Sequence, residues 1–434
     1  MSTFGDFGPS YLGMAIAGSP APSMEGVLVH LGNDLTFASG TNAITYDAET
    51  YDPAGYHSLV SNTDRLTIPL GPTRGRLVIN TLQVEGIRVN TMAKNGATFA
   101  GRAIGYNVGA TGDDATNIAS AIVTVAEGDY LNSSIVDGVT LRDFETWASF
   151  EPIVATIKGA LVKKTGTQAL SANTTTEIAF EAEEYDTDAF HDNVTNNTRL
   201  TVPSGVGLVR LSASMETTAI GGSDQGVLVL NKGGASVLGR FAKDVPGTDC
   251  YVCAVSAILA VSPGDYFEAT ARTTDAETIQ AVDNTWFQIE EIPATRKYAL
   301  VYKFASQAIS IDTWTAMAFA VEAADTDAFH DTVTNNTRLT VPAGVARARL
   351  SFNAEGPSGL SATATLDARV TKNGVADIPG LPSCRSQNAG TELANGFGAW
   401  VEVVAGDYFE LELRCDESAT IPVGDTMWFQ IEAE

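Results

Sequence analysis

Two stretches of this chain are almost the same. Residues 186–203 read DTDAFHDNVTNNTRLTVP and residues 325–342 read DTDAFHDTVTNNTRLTVP, so 17 of 18 positions match. A worn third copy at residues 52–69 reads DPAGYHSLVSNTDRLTIP. It keeps eight positions: Asp52, His57, Val60, Asn62, Arg65, Leu66, Thr67 and Pro69. The marker histidines His57, His191 and His330 are 134 and 139 residues apart. Solenoid repeats have units of about 20–50 residues, so these periods predict tandem domains. Whatever one copy belongs to, the chain must build it three times.

The parts around each copy come in one order. A short alternating strand precedes it, residues 176–182 and 315–321, with Ile178 and Phe180 on one side. The copy ends on a proline, which cannot donate to a strand ladder. A glycine turn follows at Gly71, Gly205 and Gly344. Next comes a long strand of period two, with Val209, Leu211, Ala213 and Met215 facing one way and Arg210, Ser212 and Ser214 the other. That pattern predicts a half-buried strand. Lys94-Asn95-Gly96, Lys232-Gly233-Gly234 and Lys372-Asn373-Gly374 supply the positive-φ residues of tight hairpins. Gly-Asp-Tyr recurs at residues 128–130, 264–266 and 406–408, each time leading into an apolar strand. Each copy closes on a tryptophan strand, at Trp147, Trp286 and Trp428. Many short strands, glycine turns and no amphipathic helix predict an all-β sandwich in each third.

The order N-x-x-R-L-T-V-P, glycine turn, alternating strand, K-N-G, G-D-Y-F-E and closing W-F-x-I-E resembles the C1q/TNF-like jelly-roll superfamily. More narrowly it resembles the C1q-like modules of bacteriophage virion proteins: fibres, spikes and decoration proteins. The resemblance covers three modules, at residues 38–152, 165–293 and 303–434, and is weaker in the first. It implies three tandem jelly-roll β-sandwich domains that pack as a trimer, with a recognition face at the exposed end. The implied protein is a non-enzymatic virion component, made in the host cytoplasm, that contacts other capsid or tail proteins and a host-surface glycan. The alternatives are a head-decoration or baseplate component without a receptor role, and a cell-associated lectin-like adhesin.

Residues 1–37 differ in kind. Phe4, Phe7 and Tyr11 lie among glycines and prolines without helical or strand period. They predict an extended segment that docks on the particle.

Acids outnumber bases 52 to 26, a net charge of -26. That charge argues against nucleic acid and against anionic lipid. No apolar run reaches the roughly 18 residues of a membrane helix. The start lacks the basic region of a signal peptide. Cys250 and Cys253 form a lone C-x-x-C, which reads as ordinary small core residues without a matching second pair. No catalytic motif is present, so no enzyme and no cofactor are expected.

Three sets of residues remain as candidates. Asp186, Asp188, His191 and Asp192, with Asp325, Asp327, His330 and Asp331, have the spacing of a Ca²⁺ or transition-metal loop. The first copy lacks two of these acids, which favours turn stabilisation by Asp and Asn side chains. Arg76, Arg210 and Arg349 each lie seven residues after the proline. They predict ion pairs on the polar strand face, within a module or across a subunit boundary, worth about 0–1 kcal/mol if exposed. Trp147, Trp286 and Trp428 are expected in the core. Two assemblies fit: a homotrimer in three tiers, which the family habit favours, and a single chain whose modules imitate the trimer.

Overall fold

The protein is described here by a computed structural model. It describes residues 26–434 apart from 85, 108–112, 137–139, 220–224, 245–248, 282–283, 357–359, 362–363, 377, 388–392 and 423. The fold is all-β: every element among the described residues is a strand.

The strands form three successive units. In the first, a seven-stranded sheet contains Ala48–Tyr51, Val27–His30, Trp147–Pro152 and Arg74–Val84 in that order, with Asp113–Thr124 on the far side of Arg74–Val84. A five-stranded sheet built on Gly86–Lys94 and Tyr130–Val136 faces it. Val29, Leu77, Ile79 and Phe150 from one sheet meet Leu66, Met92, Leu131 and Ile135 from the other in one buried core. The second and third units repeat the arrangement, with the closing strands Trp286–Glu291 and Gly424–Ala433 lying beside the long strands Leu208–Ala219 and Arg347–Glu355.

The repeated turns explain one another. Asn95 and Asn373 have φ of 53° and 55°. The Asn95 side chain donates to Asp129 Oδ1 at 2.7 Å and accepts from the Tyr130 backbone N–H at 2.9 Å. Asn373 does the same with Asp407 and Tyr408, at 2.8 and 2.9 Å. Lys94, Lys232 and Lys372 reach Asp129, Asp265 and Asp407 at 2.9, 2.8 and 2.9 Å. The K-N-G and G-D-Y motifs are thus two halves of one contact.

Each unit starts earlier than the sequence pattern suggests. Val27–His30 is a strand paired with Trp147–Phe150, inside the stretch expected to be an extended docking segment. Gly159–Lys163 and Lys297–Lys303 are the matching first strands of the second and third units, not linkers. The reason is physical. Val27 and Val29 face the sandwich core, while Leu28 joins a second apolar cluster outside it. A strand buried on both faces has no alternation to detect.

The long strands carry the same lesson. Arg210, Ser212 and Ser214 are as buried as Val209, Leu211 and Ala213. Their polar face does not meet solvent, because the three units pack against one another around a common axis.

Candidate functional site

The closing strands build the contacts between units. In Trp286–Glu291 the residues Phe287 and Ile289 point into their own core, leaving Trp286, Gln288 and Glu290 on the opposite face. Trp286 packs into the first unit's core cluster. Gln288 Oε1 accepts from the Ile122 backbone N–H at 2.8 Å, and Glu290 Oε2 accepts from Arg76 Nη2 at 2.6 Å. The third unit presents the same face to the second. Trp428 packs on Ala257, Gln430 Oε1 accepts from the Ile258 N–H at 2.6 Å, and Glu432 pairs with Arg210. The first unit presents it to the third: Trp147 Nε1 donates to Leu381 O at 3.1 Å, and Glu151 accepts from Arg349 Nη1 at 2.5 Å. The contacts run from unit two to one, three to two and one to three, so the ring closes within one chain. The tryptophans are buried as expected, but at the seams between units.

Arg76, Arg210 and Arg349 converge on the axis. Their Cζ atoms lie 5.4, 5.0 and 4.7 Å from the centroid of Phe397. Strand register places Ala119 and Val255 where the third unit has Phe397, each opposite the residue two beyond its unit's arginine. One large ring and two small side chains therefore share the axis. The arginines are 2%, 1% and 4% exposed, so the solvent-facing ion pair expected from sequence is corrected to a buried network. Burial of a charge costs several kcal/mol unless partners replace water. Here each guanidinium has a carboxylate from another unit, and Arg210 and Arg349 have one from their own as well, Glu290 at 2.8 Å and Glu432 at 2.9 Å.

The electrostatics are uneven. Burial opposes ionisation of Glu432, but Arg210, Arg349 and Arg296 outweigh it and hold its carboxyl far below the ordinary range. Glu151 is likewise lowered against its burial, by Arg349 and Arg76. Arg349 is held charged despite burial by Glu151, Glu432 and Glu290. For Arg210, burial together with the neighbouring Arg349 and Arg76 prevails, and its pKa falls.

A cavity of about 420 Å³ opens at one end of the axis. Its walls include Arg76, Arg349, Glu151, Glu290, Glu432 and Trp400, and the connections at Ile153, Val154 and Pro293. Gly26, the first described residue, lies against Pro152 on the same end. This end is the base of the ring.

In the loops carrying the 18-residue repeat nearly every retained residue has a local task. Asp52, Asp186 and Asp325 accept backbone N–H groups four and five residues on, at 2.8–3.0 Å. His57, His191 and His330 bridge Glu49, Glu183 and Glu322 to a backbone carbonyl across the loop. Asn62, Asn196 and Asn335 take φ of 52°, 64° and 58°, which Asn tolerates better than most side chains. Arg65, Arg199 and Arg338 stack over Tyr130, Tyr266 and Tyr408 at 4.2, 4.7 and 3.9 Å.

The extra acids have partners too. Asp188 and Asp327 reach Lys158 and Lys297 at 3.1 Å each. The first copy has Ala54 in that place, and Glu25 where the others have lysine. Asp192 and Asp331 accept from the N–H groups two and three residues on, all at 2.9 Å. In the first copy Ser58 Oγ takes those two bonds, at 3.3 and 3.2 Å. These candidate metal ligands are thus engaged in turns and lysine pairs. Among the described residues no group of three or more His, Cys, Asp or Glu has metal-binding geometry.

One retained residue has no internal task. Val60, Val194 and Val333 sit on these turns and are 94%, 93% and 87% exposed. Cys253 is buried in a seam against Trp286, and Cys384 and Cys415 are buried in the third unit. Phe4, Phe7 and Tyr11 lie outside the described residues.

Sequence reasoning found the three arginines but missed their partners Glu151, Glu290 and Glu432. The signal was present as the alternation W-x-Q-x-E in two closing strands, whose polar residues recur as faithfully as the apolar ones. No protein-family model matches the chain, and no curated protein is significantly similar to it.

Proposed function

We propose that this chain is a non-enzymatic structural protein of a phage virion, a fibre or spike. In this reading its base docks on the particle and its jelly-roll modules face the host surface. The observation that carries the reading is the base itself. It gathers the chain's entry at Gly26 and the axial cavity, and the repeat turn of each unit adds one exposed valine on the surface. A single exposed apolar side chain is ordinary on a protein surface, but one retained in all three copies suits contact with a partner. Pairing of strands distant in sequence, such as Val27–His30 with Trp147–Phe150, supports jelly-roll connectivity.

The proposed assembly is a single chain acting as its own trimer. The seams that a homotrimer would form between subunits are occupied here by the chain's own units. Ala119, Val255 and Phe397 also differ at the axis, and such differences are available to one chain but not to three identical ones.

The docking claim is tested by incorporation into particles. Val60→Asp, Val194→Asp and Val333→Asp together are expected to leave folding intact and to abolish incorporation. Removal of residues 1–25 is expected to weaken it. Normal incorporation of both variants would refute the docking claim. A decoration or baseplate role is the second reading, and a purified chain that binds particles but ignores host cells would favour it.

A further inference from the structure

One feature of the third unit has no counterpart in the other two. Trp314 precedes the short strand Thr315–Ala316 and is half-buried. Arg369 Cζ lies 4.0 Å from the centroid of its ring, and Arg414 Cζ lies 4.9 Å from it. Both arginines belong to one sheet. Leu366, Ala368 and Val370 on Thr365–Lys372, and Leu411 and Leu413 on Tyr408–Cys415, face the core. Asp367, Arg369, Glu412 and Arg414 therefore project from the outer face. The tryptophan ring rests over two guanidiniums that rise from this face.

The guanidiniums are fixed in turn. Arg369 Nε and Nη2 contact Glu412 Oε2 at 2.9 and 2.8 Å. Arg414 Nε and Nη2 contact Asp367 Oδ2 at 2.9 and 2.6 Å. Arg385 holds Asp367 from the next strand. The result is an aromatic ring beside a lattice of planar donors and acceptors, three guanidiniums held by two carboxylates. In the second unit the register puts Thr175, Val227, Val229 and Thr270 at the places of Trp314, Asp367, Arg369 and Glu412. The lattice is therefore not needed to build the sandwich.

We propose that this face of the third unit is a saccharide-binding platform that takes a neutral hexose unit of a polysaccharide. The apolar C–H face of a pyranose packs on an aromatic ring, and its hydroxyls pair with planar side chains that donate and accept together. Carboxylates and guanidiniums supply both functions here. A neutral sugar fits better than an acidic one, because Glu412 pairs Arg369 and Asp367 is shared by Arg385 and Arg414, so every guanidinium is already held by a carboxylate. Asp312, Asp416 and Glu417 flank it in sequence, and the chain carries a net charge of -26. The proposal deepens the host-attachment reading and rests on it for the source of the polysaccharide.

The remaining tryptophans, Trp147, Trp286, Trp400 and Trp428, are buried. Emission reached by acrylamide therefore reports on Trp314. Cellohexaose, maltohexaose and β-1,4-galactohexaose are titrated into the full-length chain, with hyaluronan hexamer as the acidic comparison. At least one neutral oligomer is expected to cut acrylamide quenching by about twofold or more. Its affinity should fall about tenfold in Trp314→Ala and severalfold in Arg369→Lys. The control Thr175→Ala in the second unit should change nothing. The proposal is overturned if no neutral oligomer protects Trp314, if Trp314→Ala binds as well as wild type, or if only the acidic oligomer binds. Protection by wild type is read without any variant, so a misfolded substitution cannot decide the outcome. Binding to host cells is measured in parallel. Cell binding unchanged by Trp314→Ala would refute the platform and leave attachment standing. Oligomer binding without cell binding would do the reverse.

Discussion

Arg349 of the third unit donates to Glu151 of the first at 2.5 Å, joining the last part of the chain to the first. With the bond from Trp147 Nε1 to Leu381 O it closes the ring. Removing one partner of a buried pair strands the other, at a cost of roughly 3–5 kcal/mol. Arg349→Met is therefore expected to lower stability by about that much in urea unfolding. Arg65→Ala, on a loop and partly exposed, should cost about 1 kcal/mol or less. A small loss in Arg349→Met would mean that the seam is not closed in solution.

The axial carboxylates set an acid limit. Glu432 has its pKa lowered from an ordinary 4.5, and Glu151 is lowered too. A depressed carboxyl contributes its full stability above the unfolded value and loses it as pH falls through the folded one. Stability measured from pH 7 downward should hold until about 4.5 and then decline steadily. Glu432→Gln should start lower at pH 7 and decline less. A wild-type curve flat to pH 3 would contradict the buried network.

Lys303 gives the opposite slope. It is buried, and burial pushes its pKa down from 10.5 to about 8. A lysine with a depressed folded pKa opposes folding while charged, so its contribution improves as pH rises from about 8 to 10.5. Its counterpart Lys164 is paired with Glu181 at 3.0 Å, where the third unit has Ala320. Ala320→Glu is expected to raise stability at pH 7 by about 1 kcal/mol. Differential scanning calorimetry at pH 7 and pH 10 should show the gain shrinking at the higher pH.

Two alanines carry backbone strain. Ala189 and Ala328 take φ of 61° and 60°, where the first copy has Gly55 at 72°. Left-handed backbone disfavours a Cβ by roughly 1–2 kcal/mol. Against that, a glycine gives the unfolded chain more freedom. Ala189→Gly and Ala328→Gly are expected to stabilise by about 0.5–1 kcal/mol each. Destabilisation by either would show that the loop does not hold this conformation.

Much of the fold was legible in the sequence because one face of most strands is solvent-exposed or turn-bound. The K-N-G and G-D-Y turns, the Arg-Leu-Thr strands and the core residues Leu211 and Phe287 follow from pattern alone. What stayed hidden was the second buried face. Val27 to His30 read as loose chain because Leu28 is as apolar as its neighbours. Arg210 read as exposed because a period of two cannot distinguish solvent from another unit. The sequence marked the repeat as a candidate metal loop, and only side-chain positions reveal that Asp188 and Lys158 answer each other. Trp314 carried no signal, since its partners Arg369 and Arg414 are distant in sequence and meet only across the sheet.

The central claim is that one chain closes its own ring, and native mass tests it most directly. Light scattering on the purified protein at micromolar concentration should give 45.6 kDa, the mass of one chain. A particle of about three times that mass would contradict the account and return the chain to a three-tiered homotrimer.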